Sequence, residues 1–304
     1  MQRFFYNKEE IRTKMGLLDV VLMKKSMIVY PNAKINLGLN IVGKRPDGYH
    51  NLETVFLPVP ALHDELEVTL TDDSAPYSFT QEGIVVECPA EDNLIIRAYL
   101  KMREQYPMVG NVHFRFKKAI PFGAGLGGGS ADAAFTVKAI NQLFRLCLTG
   151  EEMEQIVAPL GADCAFFIQN RPRFAEGVGN VFSEIPDGLM EQLHDKWLLL
   201  VKPDCAVSTR AAYQGIHPHT QAIPLFEALG KPITTWQQTV INDFEDSVFP
   251  QFPEIARIKQ QLLATKPLYA AMSGSGASLF AIYDKRPDTT VFDKQSLFFN
   301  CSKL

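Results

Sequence analysis

The sequence has few of the features that mark secreted, metal-binding or membrane proteins. Its five cysteines are odd in number and form no Cys-x-x-Cys pair, so neither a disulfide framework nor a zinc site is predicted, and reduced thiols in a cytoplasmic protein are the simple interpretation. The six histidines show no metal-ligand spacing. No run of about 18 apolar residues occurs, which argues against a membrane span. A net charge of -4 argues against a broad basic surface for nucleic acid.

The composition is that of an ordinary globular protein, with 304 residues, of which 46% are hydrophobic and 21% charged. This length favours two domains. We place the boundary in the polar, Pro-Asp-Gly-containing stretch near 186–195, which gives domains 27–185 and 186–304. Residues 1–26 are predicted to be an N-terminal extension: a short helix, a disordered arm, or the product of an upstream start codon, with Met27 as the natural beginning.

The hydrophobic periodicity predicts strands and helices without regular βαβ alternation, which favours an α+β fold with largely antiparallel sheets. Thr149 and Glu152 have the spacing of a capping box, and Ser208 or Thr209 is predicted to cap another helix. The predicted strands lie in 27–42, at 65–70, 112–116 and 196–202, and on both sides of a loop within 268–284, and the predicted helices lie at 91–105, 131–146, 236–247 and 253–265. Residues 286–304 have a weak pattern that fits a last helix or an edge strand.

The segment IPFGAGLGGGSADAAF, residues 120–135, is the most informative part of the chain, because five of the seven residues from Gly123 to Gly129 are glycine and a predicted helix follows. A helix N-terminus carries unpaired N–H groups and partial positive charge, and a glycine-rich approach lets an oxyanion come close to them. A phosphate site is therefore predicted. Ser130 would cap the helix, ligate Mg²⁺ or contact a phosphate. The alternative, a tight turn for close packing of helix on sheet, fits five glycines poorly.

Three known phosphate loops fit this segment incompletely. Gly123, Gly125 and Gly128 satisfy G-x-G-x-x-G, but the preceding strand carries polar side chains on one face, unlike the doubly buried first strand of a dinucleotide fold. Gly129 stands where a P-loop requires lysine. The His-Arg-Asp and Asp-Phe-Gly partners of the protein-kinase loop do not occur in the sequence. Charge compensation must therefore come from Mg²⁺, the helix dipole or a lysine elsewhere.

Four segments in this order resemble the GHMP small-molecule kinases: PNAKINLGL (31–39), IPFGAGLGGGSADAA (120–134), LGADCAFF (160–167) and AMSGSGASLFA (271–281). Three more, GKRPDGYHNLET (43–54), FAEGVG (174–179) and NDFE (242–245), are similar to the members whose alcohol substrate carries cytidine diphosphate. The resemblance extends from about residue 27 to about residue 285.

This resemblance implies a two-domain GHMP kinase fold with the active site in the cleft between the domains. It implies ATP as phosphoryl donor, Mg²⁺, and transfer to the 2-hydroxyl of a cytidyl-diphosphate-linked methylerythritol in isoprenoid precursor biosynthesis. A monomer or homodimer in the cytoplasm, with no nucleic-acid or membrane partner, is expected. The residues implied in ATP binding are Pro121, Gly123, Ala124, Gly125, Leu126, Gly127, Gly128, Gly129 and Ser130.

The resemblance also places Lys34 and Asp163 together at the acceptor hydroxyl. Asp163 would act as general base or orient the hydroxyl, and Lys34 would keep that carboxylate ionised and steady the transferring phosphoryl group. Asn36 lies two residues from Lys34, hence on the same strand face, and is implied in substrate binding. The structural alternatives are an N-cap or buried turn carboxylate for Asp163, a snorkelling strand lysine for Lys34, and an exposed polar strand residue for Asn36.

For the cytosine, the resemblance implies Tyr49 and His50, with an aromatic clamp completed by Tyr213, and for the diphosphate it implies Thr209. Hairpin packing and simple helix capping are the structural alternatives. The segment SGSGAS, residues 273–278, is predicted to be a loop that closes over the site or a plain hairpin turn. Neither of its first two serines is given a chemical role.

Three other functions compete with this interpretation. The first is a GHMP kinase that acts on homoserine or mevalonate, which would lack affinity for cytidine nucleotides. The second is a catalytically idle nucleotide-binding regulator, against which the intact Lys34 and Asp163 argue. The third is a dinucleotide oxidoreductase, which the character of the strand before the glycines disfavours.

Overall fold

The computed structural model describes residues 25–85, 88–216, 218, 221–292 and 297–304. The described chain forms three four-stranded sheets with the orders β1-β4-β6-β5, β2-β3-β7-β8 and β10-β11-β9-β12. The strands are β1 (Ser26–Val29), β2 (Asn32–Lys44), β3 (His50–His63), β4 (Glu65–Leu70), β5 (Tyr77–Gly83), β6 (Val112–Lys118), β7 (Arg173–Glu176), β8 (Val181–Ser183), β9 (Trp197–Pro203), β10 (Tyr269–Met272), β11 (Leu279–Tyr283) and β12 (Leu297–Lys303).

Helices cover these sheets and supply the rest of the core. They are α1 (Leu94–Gln105), α2 (Gly128–Leu143), α3 (Gly150–Val157), α4 (Cys164–Gln169), α5 (Leu189–Leu193), α6 (Thr209–Tyr213), α7 (Leu225–Leu229), α8 (Trp236–Thr239), α9 (Phe244–Gln251) and α10 (Pro253–Ala264), with 3₁₀ turns at Ala90–Asp92, Ala158–Leu160 and Ile233–Thr235. No helix of the described chain is both long enough and apolar enough to cross a bilayer.

Strict alternation of buried and exposed side chains along β6 explains how the first sheet packs. Val112, Phe114 and Phe116 of β6 are buried, whereas the residues between them are partly or fully exposed. The buried face packs against α1 and α2 in one hydrophobic cluster. Strand β6 pairs antiparallel with β4 and parallel with β5, and every other strand pairing among the described residues is antiparallel. The predicted α+β fold with largely antiparallel sheets is confirmed, and the antiparallel partner of β6 argues against a dinucleotide fold.

Strand β2 is the structural centre of the molecule. Its first ten residues are all buried, because the apolar side chains of β2 join two hydrophobic clusters that include residues of the second half of the chain. The amide of Lys34 donates to the carbonyl of Leu126, and the amide of Leu39 donates to that of Ile241. Polar side chains on this strand are therefore held in the interior, where they need specific partners.

The observed elements differ from the predicted ones at a few places. Helix α2 begins at Gly128, three residues earlier than predicted. The single helix predicted at 236–247 is wrong: α8 ends at Thr239 and α9 begins at Phe244, because the intervening residues bond to β2 and to a loop across the sheet. The capping box of Thr149 with Glu152 is present. The last segment forms the edge strand β12.

The predicted domain limits stay a prediction. Of the predicted extension, residues 1–24 lie outside the described residues, and Ser26 already begins β1. A second hydrophobic cluster joins residues from both sides of the predicted boundary, among them Ile35 and Leu37 of β2 with Leu198 and Phe280. The two predicted domains thus share buried contacts along β2.

Candidate active site

A cavity of about 690 Å³ opens where β2, the start of α2 and the loop after β10 meet. Its wall includes Lys34 and Asn36 of β2, Asp163 before α4, and Thr209 and Tyr213 of α6. It also includes every residue assigned to ATP binding from the sequence: Pro121, Gly123, Ala124, Gly125, Leu126, Gly127, Gly128, Gly129 and Ser130. Residues 100 or more positions apart in the chain are thus brought to one site.

The start of α2 faces this cavity without a side-chain cap. Gly127 adopts a left-handed conformation with φ of 72°, and no side chain accepts a hydrogen bond from the first turn of the helix. The leading N–H groups of a helix have no intrahelical partner, and their partial positive charge favours an anion. The helix is 16 residues long, so its full dipole is available at this end. This arrangement can hold phosphate oxygens.

The glycines of the loop are also required by the protein's own packing. A Cβ on Gly125 would lie 2.0 Å from the carbonyl oxygen of Ser273, and one on Gly127 would lie 2.9 Å from the ring of Phe167. A Cβ on Gly128 would lie 2.9 Å from Ile120. The close-packing alternative considered from the sequence therefore accounts for several of these glycines, and phosphate approach alone does not explain the pattern.

The loop after β10 is bonded directly to the glycine loop. The Ser273 hydroxyl donates to the carbonyl of Gly125 at 3.0 Å, and the amide of Ser278 donates to the carbonyl of Ala124 at 3.1 Å. Asn242 holds this second loop by donating to the carbonyls of Met272 and Gly274 at 2.7 and 2.9 Å. Both sequence interpretations of 273–278 therefore describe it, since it connects two paired strands and forms one wall of the cavity.

Lys34 and Asp163 form an ion pair in this cavity, with 3.3 Å between Nζ and Oδ2. The Lys34 side chain is 4% exposed and the Asp163 side chain 29% exposed, so the carboxylate alone reaches the open space. Asp163 makes no capping hydrogen bond to α4, and the burial of Lys34 excludes a snorkelling lysine. The carboxylate is thus available to a ligand, with a fixed positive charge behind it.

A chain of hydrogen bonds holds the lysine in place. Lys34 Nζ donates to Asn36 Oδ1 at 2.6 Å, Asn36 Nδ2 donates to the hydroxyl of Thr54 at 2.9 Å, and that hydroxyl donates to the carbonyl of Gly38 at 2.6 Å. Asn36 is 2% exposed, which excludes an exposed strand position. The sequence reasoning missed Thr54, although it closes the quoted segment GKRPDGYHNLET.

The aromatic residues assigned to the cytosine meet only in part. The rings of His50 and Tyr213 are stacked, with centroids 4.9 Å apart and an interplanar angle of 19°, and Tyr213 contacts Phe244 edge-on at 4.8 Å. This separation leaves no room for a base between the two stacked rings. Tyr49 is 67% exposed and, like His50, is not among the residues lining the cavity. Burial, with a smaller effect of the Asp163 charge, raises the pKa of the Tyr213 phenol.

Thr209 lies at the cavity and is not the cap of its helix. Ser208 is the N-cap of α6, since its hydroxyl accepts from the amide of Ala211 at 3.1 Å. The Thr209 side chain is therefore not committed to capping. The thiol of Cys164, close to Ser130, is buried, and burial raises its pKa to about 11.

Lys118 and Asp132 also line the cavity and were missed from the sequence. Lys118 Nζ contacts Asp64 and lies 2.9 Å from Asp132. Burial raises the pKa of Asp132 to about 8, while the two carboxylates outweigh burial and raise the pKa of Lys118. The only sequence signal was the position of Lys118 at the end of an alternating strand, shortly before the glycine-rich segment.

Comparison with known proteins agrees with this geometry. The GHMP kinases N terminal domain matches residues 93–171, and the GHMP kinases C terminal domain matches residues 222–294. A 4-diphosphocytidyl-2-C-methyl-D-erythritol kinase of Bacteroides fragilis (strain YCH46) is 49% identical over 273 residues, covering 90% of this chain and 97% of the relative. One of Cytophaga hutchinsonii is 44% identical over 263 residues, covering 86% and 94%.

Solved structures give the same result. A crystal structure of 4-(cytidine 5'-diphospho)-2C-methyl-D-erythritol kinase has a TM-score of 0.67 and 30% identity, covering 84% of this chain and 90% of that one. The mevalonate kinase of Methanococcus jannaschii has a TM-score of 0.64 at 12% identity, covering 91% and 98%, a likeness of fold alone. The chain therefore belongs to the GHMP kinases and, within them, to the family of 4-diphosphocytidyl-2-C-methyl-D-erythritol kinases.

Proposed function

We propose that this chain transfers the γ-phosphoryl group of ATP to the 2-hydroxyl of 4-diphosphocytidyl-2-C-methyl-D-erythritol, giving the 2-phosphate and ADP, in non-mevalonate isoprenoid precursor biosynthesis. The observation that carries the proposal is the Lys34–Asp163 ion pair, which shares one cavity with the uncapped start of α2. The names of the relatives specify the substrate.

The reaction asks the protein mainly for positioning and charge stabilisation. The exposed Asp163 carboxylate accepts a hydrogen bond from the acceptor hydroxyl, orients it and receives its proton. The buried ammonium of Lys34, held by Asn36 and Thr54, stabilises the negative charge that spreads over the transferring group. The first-turn amides of α2 hold the phosphates of the nucleotide.

The residues of the site fit Mg²⁺. Among the described residues no group of three or more His, Cys, Asp or Glu side chains is placed to hold a metal. Mg²⁺ is commonly held by one or two protein oxygens together with phosphates and water, so the lack of an all-protein cage is consistent with it. Ser130, in the first turn of α2, would supply a hydroxyl ligand. A Mg²⁺ ion held there would supply positive charge that offsets the negative charge of the nucleotide phosphates.

At the other end of the substrate, Tyr213 offers an aromatic face for the cytosine, and His50 stacks on that ring although neither it nor Tyr49 lines the cavity. For the base to stack on the side that His50 now covers, the His50 ring must move aside. Thr209 would contact the diphosphate. Five free cysteines are consistent with a cytoplasmic location, and a monomer or homodimer stays a prediction.

The first experiment measures ADP release with ATP and Mg²⁺, using 4-diphosphocytidyl-2-C-methyl-D-erythritol, homoserine and mevalonate in parallel wells. Turnover with the cytidyl substrate alone is the expected result. Turnover with another alcohol would support the kinase assignment and refute the assignment of a cytidine pocket. No ADP release in any well from a protein that still binds ATP would favour the catalytically idle regulator.

A further inference from the structure

Three charged side chains form a buried cluster beside the glycine loop. Asp64, between β3 and β4, is fully buried, and Lys118 and Asp132 are each 5% exposed. Lys118 Nζ donates to Asp64 Oδ2 and, at 2.9 Å, to Asp132 Oδ2. Burying a charged group is costly unless close hydrogen-bonded partners compensate, so each of these three groups depends on the other two.

Asp64 also binds the main chain that enters the glycine loop. Its Oδ1 accepts from the amides of Ala119 and Ile120 at 2.6 and 2.8 Å. These are the last two residues before Pro121, where the loop begins. One carboxylate therefore fixes the backbone at the entrance of the loop and the ammonium group beside it.

Lys118 links Asp64 to Asp132, which lies just after the glycine loop. Its second carboxylate partner, Asp132, belongs to α2, whose first turn faces the cavity. The helix also packs directly on the ammonium, because a Cβ on Gly128 would lie 3.0 Å from Lys118 Nζ. The entrance and the exit of the glycine loop are thus tied by one continuous set of side-chain bonds: backbone of Ala119 and Ile120, Asp64, Lys118, Asp132.

We propose that Asp64 is a positioning residue for nucleotide binding, acting through Lys118 and Asp132 to hold the glycine loop and the start of α2 in register for the phosphates. This rests on the proposed function. Asp64 is not among the residues that line the cavity, whereas Lys118 and Asp132 are. An effect of Asp64 on ATP must therefore be transmitted through the cluster or through the main chain of Ala119 and Ile120, and a variant that keeps the main-chain bonds tests the cluster.

The test is Asp64→Asn, compared with the wild-type protein for turnover and for equilibrium binding of MgADP measured by calorimetry. An asparagine oxygen can still accept from the two backbone amides, but its NH₂ group faces the ammonium of Lys118. We expect KM for ATP and the dissociation constant of MgADP to rise at least tenfold. KM for the cytidyl substrate should stay within threefold of wild type.

Lys259→Met is the matched control, since Lys259 is also buried and bonds both oxygens of Glu245 at 2.7 Å. It should lower the unfolding temperature without changing KM for ATP by more than threefold. If Asp64→Asn does not fold, Asp132→Asn is measured in the same way. It leaves the two main-chain bonds of Asp64 and its ion pair with Lys118 intact, and the same rise in both nucleotide constants is expected.

The outcomes separate this inference from the proposed function. A wild-type protein that binds MgADP but phosphorylates none of the alcohols would remove the kinase assignment and still allow the binding comparison. An Asp64→Asn or Asp132→Asn protein that folds and binds MgADP as wild type does would overturn the positioning role. Equal rises in KM for ATP and for the cytidyl substrate would also overturn the positioning role, because they would indicate a general loss of structure.

Discussion

Replacing Asp163 by asparagine is the sharpest test of the catalytic pair. The change keeps the shape of a side chain that is 29% exposed and removes its charge and its capacity to take a proton. A positioned general base contributes about 10²- to 10⁴-fold to rate. We therefore expect kcat to fall at least a hundredfold, which corresponds to about 2.7 kcal/mol in the activation barrier. Nucleotide binding should stay near normal, since the proposed phosphate site is at the start of α2 and does not include Asp163.

The same change leaves the Lys34 ammonium buried, with Asn36 as its remaining bonded partner. Breaking a fully buried pair costs about 3–5 kcal/mol, but the partial exposure of Asp163 reduces that cost, so a loss of about 1–3 kcal/mol in the free energy of unfolding is expected. The assay measures kcat and the dissociation constant of MgADP well below the unfolding temperature.

Asp187→Asn, at an exposed position away from the cavity, is the control and should match wild type. Turnover of Asp163→Asn within fivefold of wild type would refute the assignment of Asp163 as base or orienting group.

Three further predictions address the walls of the site. Gly125→Ala should lower the free energy of unfolding by at least about 2 kcal/mol, because φ of Gly125 is 69° and the new Cβ would lie 2.0 Å from a carbonyl oxygen. Thermal or denaturant unfolding measures this loss. Gly150→Ala is the control and should change little, since its new Cβ would have no atom within 4 Å. Tyr213→Leu should raise KM for the cytidyl substrate about tenfold, since base stacking contributes about 1–3 kcal/mol, and an unchanged value would remove Tyr213 from the cytosine site. MgATP should slow the alkylation of Cys88, which lines the cavity, but not that of the exposed Cys147. Peptide mass spectrometry measures both rates. Equal labelling of Cys88 with and without nucleotide would contradict the proposed ATP site.

Much of the site could be predicted from short segments of sequence. Alternation in β6 placed the strand before the glycines, and the glycine run followed by a helical pattern placed a phosphate site at the start of α2. Lys34 and Asn36 were assigned to one face because side chains two apart on a strand point the same way, and their hydrogen bond is present. The alternating strand and the Lys34–Asn36 pairing are present in the structure because each depends on neighbours within a few residues, whereas the phosphate site stays a prediction.

Other features could not be predicted, because they depend on contacts between distant parts of the chain. The break between α8 and α9 occurs where Asn242 bonds to Met272 at the end of β10 and to Gly274 in the loop that follows. The stacking of His50 on Tyr213 brings the start of β3 against α6, two elements that are far apart in the chain.

The sequence by itself determined most of the element types, the glycine-rich start of α2 and the family of the chain, because periodicity, glycine content and motif spacing are local properties. Only the tertiary structure decided which groups surround the glycines and which carboxylates share Lys118. A buried charge takes the partners that the packing of several elements brings within hydrogen-bonding distance. Asp64, Lys118 and Asp132 lie on three separate segments that meet only in the folded molecule.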